Sequence, residues 1–252
     1  MSTPAEISSP PLKKKSRFFL GLMTVLGALF FVLFFSLGIW QVERLQWKLD
    51  LISRVDARVH AEAMAAPGRD DWANVNQPED EYRHVMLTGT YLNDKEVLVR
   101  ALTERGSGFW VLTPMRTSDG SLTFINRGFI PDAKRDPSQR IETQIAGETT
   151  VSGLLRMPEP DGFFLRPNDP DRNEWNSRDV AAFAKKEDLG TVAPYFIDAD
   201  AKSNPGNVPV GGLTVVSFRN NHLSYAITWF ALAAMIAGAA IVVWRHERKS
   251  KN

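Results

Sequence analysis

The chain has 252 residues, with 30 basic and 29 acidic side chains and no cysteine. The lack of cysteine excludes disulfides, covalent haem attachment through C-x-x-C-H, thiolate metal sites and cysteine nucleophiles. Eight basic residues lie in the tails 1–17 and 245–252, so the remainder carries 22 basic against 27 acidic residues. A nucleic-acid-binding protein needs an excess of positive charge, so nucleic acid is excluded as a partner.

The first predicted element is a transmembrane helix at residues 18–42, directly after the basic tail. No charged residue occurs between Arg17 and Glu43. A hydrocarbon layer of ~30 Å needs about 20 apolar residues in a helix, which satisfies its own backbone hydrogen bonds. Trp40 stands where a cleaved signal peptide has small residues, so the pattern favours a span that is retained.

The helix is predicted to continue past the span as an amphipathic segment at residues 43–66. Leu45, Leu49 and Ile52 recur every three or four residues, with charged residues between them. A proline and a glycine directly after this segment end the helical pattern.

A β-rich extramembrane domain is predicted at residues 67–219. Its strands are rich in β-branched and aromatic residues and are expected at 83–91, 96–102, 109–116, 122–129, 149–157, 192–198 and 213–218. The dipeptide Asp119-Gly120 indicates a hairpin turn, and a helix is expected at 178–188. Hairpins in series with one late helix predict a mainly antiparallel sheet, either a sandwich or a partly closed barrel.

A second transmembrane helix is predicted at residues 220–244, so the fold class expected is an integral membrane α+β protein. Basic residues concentrate in both tails, and such residues remain on the cytoplasmic side of a membrane. The sequence therefore predicts cytoplasmic termini, a periplasmic central domain and a location in a bacterial inner (plasma) membrane.

His222 is the candidate functional residue, at the outer boundary of the second span. Helical spacing places Tyr225, Ala226, Trp229 and Ala233 on its face. A neutral imidazole is a common ligand of haem iron, and a face of small and flat side chains suits a planar ligand. Alternatively, the histidine hydrogen-bonds water and headgroups while the alanines pack against the first helix.

Trp40 and Arg44 mark the exit of the first span, on one helical face with Trp47. Indole rings and a snorkelling arginine commonly anchor a span at the membrane boundary. Alternatively, Arg44 meets a propionate or phosphate group held near His222, because both helices leave the membrane on the same side.

Residues 166–179 are rich in acidic, amide and proline side chains. Three of them have the spacing of the first ligands of a calcium loop: Asp169, Asp171 and Asn173. Glu174 and Val180 stand where such a loop requires glycine and glutamate, so a tight turn is favoured, with Asn176 or Ser177 starting a helix. The sequence contains no hydrolase constellation or phosphate-binding glycine loop, so no enzymatic activity is expected.

Four segments carry a family resemblance. They are G-I-W-Q-V-E-R at 38–44, N-R-G-F-I-P at 126–131, the N-x-P…N-x-W…D run at 168–179, and N-H-L-S-Y-A-I-T-W-F at 221–230. Together they are similar to the signatures of the surfeit locus protein (Surf/Shy) family of assembly factors for haem–copper terminal oxidases. Phe129 departs from the family pattern, in which tryptophan is common.

The resemblance implies a role in assembling cytochrome c oxidase, at the stage where haem a enters subunit I. Some bacterial members bind haem a, and the family's proposed iron ligand corresponds to His222. Helical geometry adds Trp229, Tyr225, Arg44 and Trp40 as expected haem contacts. Oxidase subunit I, other oxidase assembly or haem a synthesis proteins, and membrane lipid are the expected partners.

Two functions from different classes stay open at this point. The first is a haem-handling chaperone, and the second is a structural membrane scaffold that stabilises subunit I without binding haem. A periplasmic sensor is a third alternative, disfavoured because neither tail is long enough to hold a signalling domain.

Overall fold

The computed structural model describes residues 17–160, 166–204 and 208–249. The described residues form four α-helices: α1 (Arg17–Val59), α2 (Gln77–Asp80), α3 (Val180–Lys186) and α4 (His222–Lys249). They also form seven strands: β1 (Met64–Ala65), β2 (His84–Tyr91), β3 (Val97–Thr103), β4 (Gly106–Arg116), β5 (Leu122–Pro131), β6 (Glu148–Arg156) and β7 (Phe196–Ala199). The chain divides into a helix-pair unit (Met1–Leu51 with Phe218–Asn252) and a sheet unit (Ile52–Ser217).

The helix-pair unit contains most of α1 and all of α4. Both helices are long and apolar enough to cross a membrane. The expectation of two apolar helices flanking a β-rich unit is therefore confirmed. The span boundaries at 18–42 and 220–244 remain predictions, and residues 1–16 and 250–252 of the basic tails lie outside the described residues.

Helix α1 ends at Val59, before the end of the amphipathic helix predicted at residues 43–66. Met64 and Ala65 instead form β1, which pairs in parallel with β2 and places Met64 opposite Val85. Backbone hydrogen bonds at the edge of the sheet outweigh the helix preference of this alanine-rich segment.

The sheet unit is built on one mixed sheet with the strand order β1-β2-β6-β7-β5-β4-β3. The predicted antiparallel pairing holds for the hairpins but not throughout, because β1–β2 and β5–β7 are parallel. Strand β7 enters after a long connection that contains α3, so no hairpin dictates its direction. The seven strands form a single sheet instead of a sandwich, and a two-residue pairing of β2 with β4 does not make it a clear barrel.

The strand predicted at residues 213–218 is wrong, because this segment has no regular secondary structure. Its alternating pattern has another cause. The Thr214 hydroxyl donates a hydrogen bond of 2.8 Å to buried Asp198, while Val215 is 81% exposed. The exposure alternates from Thr214 to Phe218 as it would in a strand, but the segment is an extended connection without strand pairing.

The core lies on both faces of the interior strand β5, of which only the last residue is exposed. One cluster contains Ile125, Val151 and Ile197. The opposite cluster contains Phe124 together with Trp175 of the long connection. Because both faces are covered, β5 has an almost continuously buried sequence instead of the alternation expected of a sheet with one wet face.

The side chain of His84 links the α1–β1 connection to the residue that follows β7. Its two ring nitrogens lie 2.8 Å from Ala61 O and 2.9 Å from Asp200 Oδ2. Burial alone lowers the pKa of His84, but the hydrogen bonds to Asp200 and Ala61 outweigh it and raise the pKa above 6.5. The charged pair therefore stabilises the fold below pH 6.5, and this contribution is lost as the pH rises through the raised pKa.

Replacing His84 by glutamine is expected to flatten the pH dependence of stability above pH 6.5. Thermal unfolding of wild type and His84→Gln at pH 6 and pH 8.5 measures the effect, and Asp200→Asn serves as the partner control. We expect the stability of the wild type to fall more between pH 6 and pH 8.5 than the stability of either variant. Equal pH dependence in wild type and both variants would show that the His84–Asp200 pair does not contribute to the pH dependence of stability.

Candidate functional site

His222 is the first residue of α4 and lies against α1. Its Nδ1 lies 2.7 Å from Oε1 of Gln41, which is only 8% exposed. An amide oxygen only accepts hydrogen bonds, so Nδ1 carries the proton and donates it to Gln41. The lone pair of the neutral ring is therefore at Nε2, the nitrogen available to a metal.

Aromatic side chains hold the two helices together beside this hydrogen bond. The rings of Phe34 and Trp229 stack with centroids 5.5 Å apart, and those of Phe35 and Phe230 meet edge to face at 5.6 Å. Gly38 lets α4 approach closely, since a Cβ there would lie 2.6 Å from the Phe230 ring. Small residues are the usual means of close helix packing in membranes.

The face predicted around His222 divides in two. Ala226 and Ala233 are buried and Trp229 is half-buried. Tyr225, by contrast, is 54% exposed. The structure thus brings Trp229 into the helix pair with His222 and leaves Tyr225 on the outside of α4.

Trp40 and Arg44 lie on an exposed side of α1. Trp40 is 49% exposed, and the Arg44 guanidinium stacks on the ring of Trp47 at 4.7 Å. Among the described contacts, neither residue touches His222. These two assignments stay predictions, and the observed pairing with Trp47 is also what a membrane anchor would show.

Gln41 is the site residue that sequence reasoning missed. It is the fourth residue of the first-span signature at 38–44, next to Trp40. A signal in the sequence could have identified it: Gln41 is a polar, uncharged residue at the end of one apolar span, and His222 stands at the start of the other. Such side chains commonly hydrogen-bond across helices.

The signature at 126–131 builds the interior of the sheet unit. Asn126 donates to Asp198 at 2.7 Å and accepts from the backbone N–H of Gly128. Arg127 is fully buried and donates to the Thr143 carbonyl, and burial lowers its pKa. Asn126, Arg127 and Gly128 therefore have structural roles.

A cleft of ≈ 720 Å³ opens over this interior network. Two of its charged lining residues, Arg156 and Arg178, lie 3.0 and 3.5 Å from the carboxylate of Asp198. Glu81 and Glu159 pair with the same two arginines. Arg156 and Arg178 are therefore paired within the protein, whereas Glu104 and Arg105 of the same lining are exposed.

The run at 168–179 is the tight turn that the sequence favoured. The Asn168 side chain accepts from the backbone N–H groups of Asn176 and Ser177 at 2.8 and 3.0 Å. The helix itself starts later than predicted, because Asp179 caps α3 by accepting from Ala182 N.

Comparison with known proteins agrees with the four signatures. The chain is 38% identical over 217 residues to Surfeit locus protein 1 of Homo sapiens, covering 79% of this chain and 70% of the human protein. It is 38% identical to Surfeit locus protein 1 of Rattus norvegicus over 216 residues, with coverage of 79% and 68%. The SURF1-like protein of Monosiga brevicollis is 36% identical over 218 residues, with coverage of 81% and 80%.

The model of the SURF1 family matches residues 28–234. The chain belongs to the SURF1 family. This match includes Gln41 and His222 and extends over the whole sheet unit, so the predicted resemblance is confirmed. Two apolar helices of membrane-spanning length in a SURF1-family chain fit a membrane protein.

Proposed function

We propose that this SURF1-family protein assists the assembly of cytochrome c oxidase by handling haem a at its helix pair before the haem enters subunit I. Family membership supports the role in oxidase assembly. The contact between Gln41 and His222 supports the haem step, because it leaves Nε2 free as an iron ligand. Haem a is the cargo in this proposal.

The residues around His222 suit a planar, largely apolar cargo with a metal at its centre. Trp229 offers a flat aromatic surface on the same helix, seven residues further along. A single histidine at the end of a helix pair leaves the other side of the cargo uncovered. Such a site permits transfer, whereas a fully enclosed haem would not leave.

The membrane location proposed is a bacterial inner membrane, with cytoplasmic termini and a periplasmic sheet unit. Large apolar side chains are exposed along both helices, among them Leu29, Val32 and Val242. Exposure of this kind is favourable in lipid and costly in water. Subunit I, other assembly or haem a synthesis proteins, and lipid are the partners proposed.

A structural scaffold for subunit I is the second candidate function. The hydrogen bond from His222 to Gln41 is itself a cross-helix contact of the kind that stabilises membrane helix pairs. In this alternative the imidazole only packs the helices and the protein never touches the cofactor.

The absorption spectrum of detergent-purified protein, coexpressed with haem a synthesis, separates the two functions. We expect a haem a spectrum in the wild type and a loss of about tenfold or more in bound haem in His222→Ala, since the axial ligand is removed. His246→Ala is the matched control, because His246 is an exposed histidine near the other end of α4.

Each outcome of this experiment decides a claim. A colourless wild type under these conditions favours the scaffold. Haem that is retained unchanged in His222→Ala keeps the carrier function but rejects His222 as the ligand. Equal loss in His246→Ala would indicate a general effect of altering α4.

A further inference from the structure

We infer that Gln41 is a positioning residue that selects Nε2 of His222 as the iron-binding atom and keeps the haem transferable. The inference rests on the proposed function and adds to it a residue that sets how firmly the cargo is held. The observation behind it is the hydrogen bond of 2.7 Å between two residues 181 positions apart.

Gln41 holds the imidazole ring in one orientation. It is 8% exposed, on the face of α1 that turns toward α4. The neighbouring packing of Gly38 against Phe230 fixes the distance between the helices at this level. The amide therefore has little freedom to turn away, and the ring cannot rotate without breaking the hydrogen bond.

The same contact fixes the proton on the ring. A histidine that binds a metal usually donates its other N–H to a carbonyl or carboxylate oxygen, which sets the tautomer. Gln41 supplies such an oxygen to Nδ1 before any metal arrives. His222 is thus prepared to bind iron through Nε2 alone.

The chemical type of the partner matters as well. A carboxylate in place of the amide would draw the Nδ1 proton more strongly, because hydrogen bonds to an ionised acceptor are about twice as strong. The imidazole would become a more basic ligand and hold iron more tightly. A neutral glutamine therefore suits a protein that must pass the haem on.

Two variants of Gln41 test the inference: one tests whether its hydrogen bond positions His222, and the other tests whether its neutral amide keeps the haem transferable. Gln41→Glu keeps the size and replaces the amide by a carboxylate, whereas Gln41→Leu keeps the bulk and removes the acceptor. Gln46→Glu is the matched control, since Gln46 is an exposed glutamine on the same helix.

The first measurement is haem release, followed by transfer to excess apomyoglobin, together with the reduction potential of the bound haem. We expect about tenfold slower release and a lower potential in Gln41→Glu. In Gln41→Leu we expect release about 10–100-fold faster, the range seen when a partner of a ligand histidine is lost. Release rates within twofold of wild type, together with an unchanged reduction potential, in both variants would overturn the inference.

The second measurement needs no haem and separates this inference from the proposed function. Nitrogen-15 NMR of the His222 ring in haem-free protein reports which nitrogen carries the proton. We expect the Nδ1–H tautomer in wild type and mainly the Nε2–H tautomer in Gln41→Leu. An Nε2–H ring in wild type would overturn the inference by itself. A colourless wild type with an Nδ1–H ring would overturn the haem function, and with it the role of Gln41 in haem binding, but would keep Gln41 as the residue that sets the tautomer.

Discussion

Replacing Asp198 by alanine is expected to lower the free energy of unfolding of the sheet unit by about 3–5 kcal/mol. Asp198 is 5% exposed and accepts from Asn126, Arg156 and Thr214 within 3.0 Å. Its removal leaves two partly buried arginines, Arg156 and Arg178, with less compensating charge and the Asn126 amide without its acceptor. A broken buried ion pair costs far more than an exposed one, because the remaining charge stays desolvated.

The network around Asp198 depends on charge that is permanently present. Although burial alone lowers the pKa of Arg156, the carboxylates of Asp198 and Glu81 outweigh it and raise that pKa. Arginine stays protonated in proteins whatever its partners, so Arg156 cannot relieve the loss of Asp198 by releasing its proton. This is the physical reason for expecting a large effect instead of a local adjustment.

Hydrogen exchange at increasing urea concentration, followed in peptides from β5 and β7, measures this loss in the full-length protein. Asp171→Ala is the control, because Asp171 is an exposed carboxylate and its removal should change stability by less than about 0.5 kcal/mol. Equal exchange in the two variants would show that the network contributes no net stability.

Local signals in the sequence were sufficient for much of the sheet. Asp119-Gly120 specified a hairpin because Gly120 takes a positive φ of 81°, and the Asp119 carboxylate accepts from Ser121 N within the same turn. Interactions of this range are encoded within four or five residues. The hairpin strands β4 and β5 were predicted for the same reason.

Long-range pairings could not be predicted in this way. The parallel strand β1 has two residues, and its partner β2 begins about 20 residues later, with nothing in the segment itself to oppose a helix. The parallel pairing of β5 with β7 likewise depends on where the connection through α3 returns. Sequence periodicity contains no information on either choice.

The candidate site shows the same division. Helical spacing places Trp229 on the face of α4 that carries His222, and Trp229 is half-buried in the helix pair. The haem contacts expected of Tyr225, Arg44 and Trp40 stay predictions, because a helical wheel does not show the direction in which the partner helix lies. Gln41 was missed for that reason, since its contact with His222 exists only when α1 and α4 are paired.

The exchange of Gly128 for alanine is the second substitution expected to have a large effect. Gly128 has φ +127°, a region that other residues avoid, and an added Cβ would overlap the carbonyl group of Val210. The next residue, Phe129, exchanges two backbone hydrogen bonds of 2.9 Å with Val210. Alanine would therefore strain β5 and push away the segment that covers it.

We expect Gly128→Ala to destabilise the sheet unit by about 2–6 kcal/mol, the sum of backbone strain and overpacking. Gly120→Ala is the matched control: Gly120 also has a positive φ, of 81°, but an added Cβ would meet nothing within 4 Å. The control should show only the backbone strain, about 1–3 kcal/mol. Thermal unfolding and hydrogen exchange in β5 measure both variants, and the difference between them isolates the collision with Val210. If the two variants lose the same stability, the close approach of Val210 to β5 is not what requires glycine at position 128.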